Sequence, residues 1–206
     1  REVHDKIRGK AGTFASIISG LEALRTEKER AGATRPFVII SATVCQDNAG
    51  NLDDVFQVCQ DVQADGMVAY YGYFQTEESC EHYESVMQEQ LDTVPVSQRG
   101  WLWGHDQVDT EVLVETVKRI RSKHWPFFYV FAPDLTLEDI PRYFQDQYNT
   151  FGYKKCIAPW SMVEILPNGD VATCRDYPDY KVGNITEESL LDIWNNERYR
   201  RFRNHL

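Results

Sequence analysis

The chain has 206 residues, of which 42% are hydrophobic and 26% are charged, and its formal net charge is -10. This composition suits a soluble protein with one full domain, or with one medium and one small domain. The acidic balance argues against nucleic acid as a partner, because a phosphate backbone requires a supply of Lys and Arg. No apolar run approaches the ~20 residues of a membrane span, and no signal peptide is visible, so no membrane partner is expected.

The first 150 residues alternate between helical and strand patterns. Apolar residues at helical spacing predict five helices, over 14–31, 52–62, 75–91, 110–123 and 136–148. Short apolar, often β-branched runs predict three strands, over 36–45, 66–74 and 126–131. The first is predicted to be covered on both faces, as in a parallel sheet, and the second to be buried. The stretch 92–108 is predicted to be a loop. Strands that alternate with helices indicate βαβ units, and hence a parallel sheet.

The sequence pattern changes near residue 150, where we predict a boundary between a domain over 1–150 and a domain over 151–206. The second domain is predicted to contain a β-hairpin module, a loop, and one helix over about 187–202. Its hairpin strands are 162–166 and 171–173, and the Pro-Asn-Gly-Asp run at 167–170 supplies the turn between them.

Three of the five cysteines are predicted to have no role in metal binding. Cys45 and Cys59 lie in apolar runs, where a free cysteine behaves as a small buried hydrophobe. Cys80 lies in an acidic helix and is predicted to be exposed and incidental, because acidic neighbours raise the pKa of a thiol. The odd cysteine count argues against a complete disulfide framework and suits a reducing cytoplasm.

Cys156 and Cys174 stand at the two ends of the predicted hairpin. Three interpretations are open: a disulfide, two unrelated core residues, or half of a metal site. A hairpin brings its ends together, and thiolates are the usual ligands of zinc and of iron–sulfur clusters. Two cysteines without CxxC spacing do not by themselves fix a metal.

The residues around these cysteines resemble the opening of a SPASM or twitch module. Cys156, Gly169 and Cys174 fit the family pattern of a cysteine, a variable gap and Gly-x4-Cys. Further residues extend the resemblance to position 203: Pro159-Trp160, Pro167-Asn168-Gly169-Asp170, Gly183-Asn184-Ile185, Ile193-Trp194-Asn195, Tyr199, Phe202 and Arg203. The resemblance implies that Cys156 and Cys174 are metal ligands, a partial set for an auxiliary [4Fe–4S] cluster.

Such modules follow the barrel of many radical S-adenosylmethionine (radical SAM) enzymes, and the front of the chain resembles the second half of that barrel. The runs His4-Asp5-x-Ile7-Arg8-Gly9 and Gly12-Thr13-Phe14 look like the segment after its third strand. The resemblance implies an α/β fold class, a partial (β/α) barrel with parallel strands followed by a SPASM/twitch hairpin and helix. It also implies that Arg8 approaches the carboxylate of S-adenosylmethionine, and that Ser41 or Thr43 approaches its ribose.

The chain also departs from the radical SAM pattern. It lacks the CxxxCxxC motif, the Gly-Gly-Glu motif and the later cysteines of the module. We therefore expect an internal fragment, inactive alone, of a longer oxidoreductase or maturase whose missing N- and C-terminal segments complete the sites. The resemblance implies that this enzyme generates a 5′-deoxyadenosyl radical and modifies a peptide or small-molecule substrate. Asp176 is a candidate proton acceptor near the auxiliary cluster, or simply a turn-forming aspartate.

Two other functions remain open at the level of sequence. One is a non-catalytic SPASM-like module that binds a peptide or partner, for which Trp101 and Trp103 between glycines offer aromatic surface. The other is a zinc-binding or disulfide-stapled domain.

Overall fold

The structure is a computed structural model that describes all 206 residues. The chain forms two compact units. The first comprises Arg1–Tyr73 and Gly104–Asn149, and the second comprises Phe74–Trp103 and Thr150–Leu206. The chain enters the second unit at Phe74, returns to the first at Gly104 and enters the second again at Thr150. The segment Phe74–Trp103 also belongs to that unit, an association with the C-terminal residues that no local sequence pattern indicates.

Eight helices and six strands form the two units. The helices are α1 (Glu2–Arg8), α2 (Thr13–Ala31), α3 (Leu52–Asp61), α4 (Glu77–Leu91), α5 (Thr110–Ser122), α6 (Asp139–Gln145), α7 (Leu190–Asn195) and α8 (Glu197–Asn204). The strands are β1 (Ile39–Thr43), β2 (Gly66–Tyr70), β3 (Phe128–Ala132), β4 (Glu164–Ile165), β5 (Asp170–Ala172) and β6 (Lys181–Asn184). Short 3₁₀ turns lie at Ser97–Trp101, His105–Gln107 and Ala158–Trp160.

The first unit contains the predicted parallel sheet, with the strand order β1-β2-β3. In its register Ser41 pairs with Val68, and Val68 pairs with Val130. One face of the sheet is covered by helix α3, whose Phe56 packs on Phe131 with ring centroids 6.1 Å apart. The mixed α/β class is therefore confirmed. The sheet has three strands, and its extension into a partial barrel remains a proposal.

The other face of this sheet is exposed. Ile39, Phe128 and Val130 retain 51%, 55% and 48% of their accessible surface. The prediction that β1 is covered on both faces is therefore wrong, and the same face of β3 is also exposed. Side chains alternate across a strand, so a helix on one side covers only every second residue. The runs are apolar on both faces, which is why their sequence did not reveal the exposed one.

The second unit contains a small antiparallel sheet with the strand order β4-β5-β6. The predicted hairpin is present, with Ile165 paired to Val171 across the turn. Gly169 has φ +87°, and a Cβ there would lie 2.7 Å from Asn184 Oδ1, so the turn requires glycine. Strand β6 was predicted as part of a loop. Its pairing with β5, a non-local interaction, supplies the backbone partners that make it a strand.

The C-terminal helix that was predicted over about 187–202 is two helices, α7 and α8. The chain breaks at Asn196, which caps α8 by accepting a hydrogen bond from Tyr199 N at 2.9 Å. The amide of Asn196 also donates to Val182 O at 2.6 Å. An asparagine that binds backbone groups in this way competes with the helix, and this explains the break.

The core of the second unit joins α4 to the C-terminal elements. It consists of buried apolar side chains from α4, β5, β6, α7 and α8 and of Tyr180, which immediately precedes β6: Met87, Leu91, Val171, Tyr180, Val182, Ile193 and Tyr199. Cys80, also on α4, was predicted to be exposed and is instead buried, with Sγ 3.7 Å from Gln98 O. Burial raises the pKa of this thiol. No helix has both the length and the apolar character to cross a bilayer.

Candidate metal centre

The two predicted metal ligands lie on either side of the hairpin. Cys156 is exposed and precedes the 3₁₀ turn Ala158–Trp160, whereas Cys174 is half-buried and follows β5. Each is a free thiol. Cys156 acts electrostatically on Cys174 and is one of the influences that raise the pKa of the Cys174 thiol.

The backbone of the loop after Cys174 affects the pKa of this thiol. The backbone N–H groups of Tyr177 and Asp176 lower that pKa. Burial is the larger influence, and the pKa of the thiol is raised overall. Backbone N–H donors stabilise negative charge on sulfur, and hydrogen bonds of this kind help to set the potential of a cluster that a thiolate binds.

The loop after Cys174 is anchored by the segment Phe74–Trp103 of the same unit. Trp101 Nε1 donates to Asp176 O at 2.9 Å, and Gln75 Nε2 donates to Tyr177 OH at 2.6 Å. The carboxylate of Asp179 accepts hydrogen bonds from the backbone N–H groups of Val96 and Ser97 and from the Ser97 hydroxyl. Nothing local in the sequence points to these contacts.

The turn after Cys156 is held by Arg203 of helix α8. Its Nε donates to Pro159 O at 2.8 Å, and its guanidinium lies 3.8 Å from the centre of the Tyr199 ring. Beside the same turn, Lys155 Nζ lies 4.4 Å from the centre of the Trp160 ring. Cation–π contacts of this kind order a turn that has no strand partners of its own.

The two thiols form a partial ligand set. The chain contains no group of three or more His, Cys, Asp or Glu residues that could hold a metal ion. A [4Fe–4S] cluster takes four cysteine ligands, so Cys156 and Cys174 fit as two of them. The interpretation of both as core residues does not suit Cys156, which is exposed.

Asp176 serves mainly through its backbone in this structure. Its carbonyl accepts a hydrogen bond from Trp101 Nε1 at 2.9 Å, and its carboxylate contacts Arg175 Nε at 3.3 Å. This arrangement accounts for the position of Asp176 without a chemical step. Its role as a proton acceptor stays a prediction.

The predicted cofactor-binding residues lie in the first unit. Ser41 and Thr43 are exposed on β1, on the same face as Ile39, and Arg8 is exposed at the end of α1. An ion pair between Lys6 and Asp47 places α1 beside the loop that follows β1. No hydrogen bond or ion pair joins Arg8, Ser41 and Thr43 to one another, and their role in binding S-adenosylmethionine stays a prediction.

Comparison with known proteins identifies the C-terminal module. Residues 156–206 match the family model SPASM, described as an iron-sulfur cluster-binding domain. The match begins at Cys156 and includes Cys174, and it is consistent with a protein of the radical SAM/SPASM type. Neither the comparison with curated proteins nor the comparison with solved structures gave a match.

Proposed function

We propose that this chain is part of a radical SAM/SPASM oxidoreductase or maturase, and that Cys156 and Cys174 bind an auxiliary [4Fe–4S] cluster. One observation carries the proposal. The SPASM match begins at Cys156 and includes Cys174, and both are free thiols that flank the hairpin of β4 and β5. Cysteine thiolates are the ligands that hold iron–sulfur clusters in proteins.

The chemistry in such an enzyme belongs to its cofactors, which supply reductive cleavage of S-adenosylmethionine and a 5′-deoxyadenosyl radical when they are bound. In the proposal the residues of this chain bind and orient the cofactors and the substrate. In the proposal Ser41 and Thr43 lie at the carboxyl end of β1, the end at which parallel barrels bind ligands, and Arg8 lies on the neighbouring helix α1. In the proposal the substrate is a peptide or another small molecule, and Asp176 accepts a proton near the cluster.

The alternation of parallel strands and helices in the first unit supports the barrel part of the proposal. Strands β1, β2 and β3 are parallel neighbours in sequence order, as consecutive strands of a (β/α) barrel are. The exposed apolar face of this sheet is the face that further strands would enclose.

Anaerobic iron and sulfide quantitation on the full-length protein tests the proposal. We expect a C156A/C174A double variant to lose about four irons per chain, which is one cubane cluster. A Cys45→Ala variant is the control, because it also removes a thiol that is not fully buried and should leave the iron content unchanged.

Three outcomes contradict the proposal. If the double variant keeps all its iron, the two cysteines are structural. If the wild-type protein holds one equivalent of zinc and has no visible absorbance, the module is a zinc-binding domain. A wild-type protein with neither metal is instead a non-catalytic SPASM-like binding module.

A further inference from the structure

Exposed apolar side chains surround the exposed thiol of Cys156. Tyr153, Ile157, Trp160 and Met162 keep 58%, 68%, 41% and 54% of their accessible surface, and all lie within six positions of Cys156. A group of exposed apolar side chains around one site is typical of a surface that binds another molecule. The Cys156 surface is defined here as this thiol with the six exposed side chains beside it: Tyr153, Lys154, Lys155, Ile157, Trp160 and Met162.

Hydrogen bonds hold the backbone beneath this surface. Within the turn, Met162 N donates to Ala158 O at 2.9 Å. From helix α8 of the same unit, Arg203 Nε donates to Pro159 O at 2.8 Å and Tyr199 OH donates to Met162 O at 3.1 Å. A surface that is already ordered loses little conformational entropy when a partner binds, so this one is prepared for binding.

The charge of the Cys156 surface is opposite in sign to that of the chain. The chain has a formal net charge of -10, with 32 Asp and Glu residues. Residues 147–163 contain two lysines, Lys154 and Lys155, and no Asp or Glu. Lys155 Nζ lies 4.4 Å from the centre of the Trp160 ring, which holds its charge beside the apolar side chains. A positive surface on an acidic protein favours a partner whose own contact surface is acidic.

Cys156 indicates which kind of acidic partner fits, because it is the proposed cluster ligand that is exposed. Two redox proteins exchange an electron where their centres come closest, and an exposed ligand is such a place. Electron-transfer complexes are transient and bury less than about 1,200 Å² in total. Four apolar side chains with two lysines at their border match an interface of this small size, with an apolar centre and a polar rim.

We propose that the Cys156 surface is the docking site of a small acidic protein that carries one electron. The inference rests on the proposed function in one respect, that Cys156 binds a redox-active cluster. In the exchange the oxidised carrier gains the one electron that the reduced centre loses, and no bond forms or breaks. The apolar side chains exclude water from the contact, and Lys154 and Lys155 bind carboxylates of the carrier.

Calorimetric titration of the full chain with a plant-type [2Fe–2S] ferredoxin, a small acidic carrier, tests the docking. It is done on the metal-free chain and on the chain reconstituted with iron and sulfide. We expect Lys154→Glu/Lys155→Glu to raise the Kd about tenfold, because each substitution replaces an attraction with a repulsion. Ile157→Ser removes an exposed apolar contact and should raise the Kd by a smaller factor. An unchanged Kd in both variants, or no binding by either form of the wild type, would overturn the proposal.

The control variant is Lys118→Glu/Lys123→Glu, which changes the net charge by the same amount. Both lysines are exposed and lie in the other unit, and Lys123 Nζ lies 5.6 Å from the centre of the Trp125 ring, much as Lys155 lies over Trp160. At about 0.15 M salt, charges more than about 8 Å from a contact are largely screened, so we expect the Kd to stay near its wild-type value. An equal rise in both double variants would mean that net charge alone governs binding, which contradicts a specific docking site.

A second measurement connects the docking to the cluster. In reconstituted protein, the second-order rate of electron exchange with the ferredoxin is expected to fall about tenfold in Lys154→Glu/Lys155→Glu, in step with the Kd. An unchanged rate in that variant means that electrons leave by another surface, and the proposal is then wrong. If the wild type binds no iron, the proposed function fails, and the calorimetric result still decides whether the Cys156 surface binds an acidic protein.

Discussion

The two units of this chain differ in how much of their apolar surface they bury. The three-stranded parallel sheet of the first unit covers one face and leaves Ile39, Phe128 and Val130 about half exposed on the other. The smaller antiparallel sheet of the second unit encloses Val171, Val182 and Ile193 almost completely. The difference arises because α4 joins the C-terminal elements to close the second core.

This difference in burial matters for the proposed metal site, because it decides whether the site can form before a metal binds. Many small metal-binding modules have too little core to fold without their ion, so that metal affinity is folding energy. Here Met87 and Leu91 of α4 add buried apolar area to the SPASM module, so its loops stand on a packed core. The module is therefore expected to hold the loop after Cys174 in place before a cluster binds.

The largest expected difference in stability between the units comes from replacing one isoleucine by alanine in each. Ile193→Ala should lower the free energy of unfolding by about 2–5 kcal/mol, because Ile193 is fully buried and leaves a cavity. Ile39→Ala should cost less than about 1 kcal/mol, because half of that side chain already meets water. Urea unfolding of the two variants beside wild type measures both. Equal losses would break the comparison and mean that the sheet face is covered in solution.

A pair of glycine substitutions tests the same difference between the units, with a smaller expected effect on stability. A Cβ at Gly183 would lie 2.8 Å from Ile193 Cγ1, and one at Gly66 would lie 2.3 Å from Phe128 Cζ. Ile193 is enclosed and cannot move, whereas the exposed Phe128 ring can swing away. We expect Gly183→Ala to destabilise the protein by about 1–3 kcal/mol, as overpacking does. Gly66→Ala should cost less than about 1 kcal/mol, since its contact is with an exposed side chain.

The stability losses of the two glycine variants are measured by thermal unfolding beside wild type. A larger loss at Gly66 than at Gly183 would mean that the Phe128 ring is held in place. That result would contradict the exposed face, independently of the isoleucine variants.

Sequence reasoning succeeded where the controlling interactions are local. The hairpin follows from the Pro-Asn-Gly-Asp turn, in which Gly169 supplies the positive φ, and the parallel strands follow from short apolar runs between helices. It failed where the interaction is between distant positions. Strand β6 depends on pairing with β5, and the break at Asn196 depends on the carbonyl of Val182.

The candidate site divides in the same way. Cys156 and Cys174 were singled out as candidates by their positions at the two ends of the hairpin and by the resemblance of the residues around them to the SPASM pattern. Trp101 and Gln75 could not, because their bonds to Asp176 and Tyr177 cross 75 and 102 positions and leave no periodic pattern. Cys80 was misplaced for a related reason. Its acidic neighbours suggested an exposed helix face, while its own side chain packs beneath the turn that carries Gln98.

The smallest predicted difference between the units concerns how each holds a carboxylate. In the second unit, Lys181 Nζ lies 2.7 Å from Asp170 and is the main cause that lowers the pKa of Asp170 from 3.8 to about 2, helped by Asn168 and Asn184. In the first unit, the pKa of Asp5 is lowered chiefly by a backbone N–H, that of Phe14.

Because the pKa of Asp170 is lower in the folded state, the unfolded state takes up the proton first as the pH falls. The stabilisation is complete above pH 3.8 and is lost as the pH falls toward about 2. A carboxyl-carbon NMR titration should therefore show the midpoint of Asp170 moving up toward 3.8 in a Lys181→Met variant. The midpoint of Asp5 should stay where it is, because its partners are the N–H groups of Phe14 and Gly12 and the His4 ring, and Lys181 is not among them. If the midpoints of both carboxyls shift together, or if that of Asp170 does not move, Lys181 is not the group that lowers the pKa of Asp170.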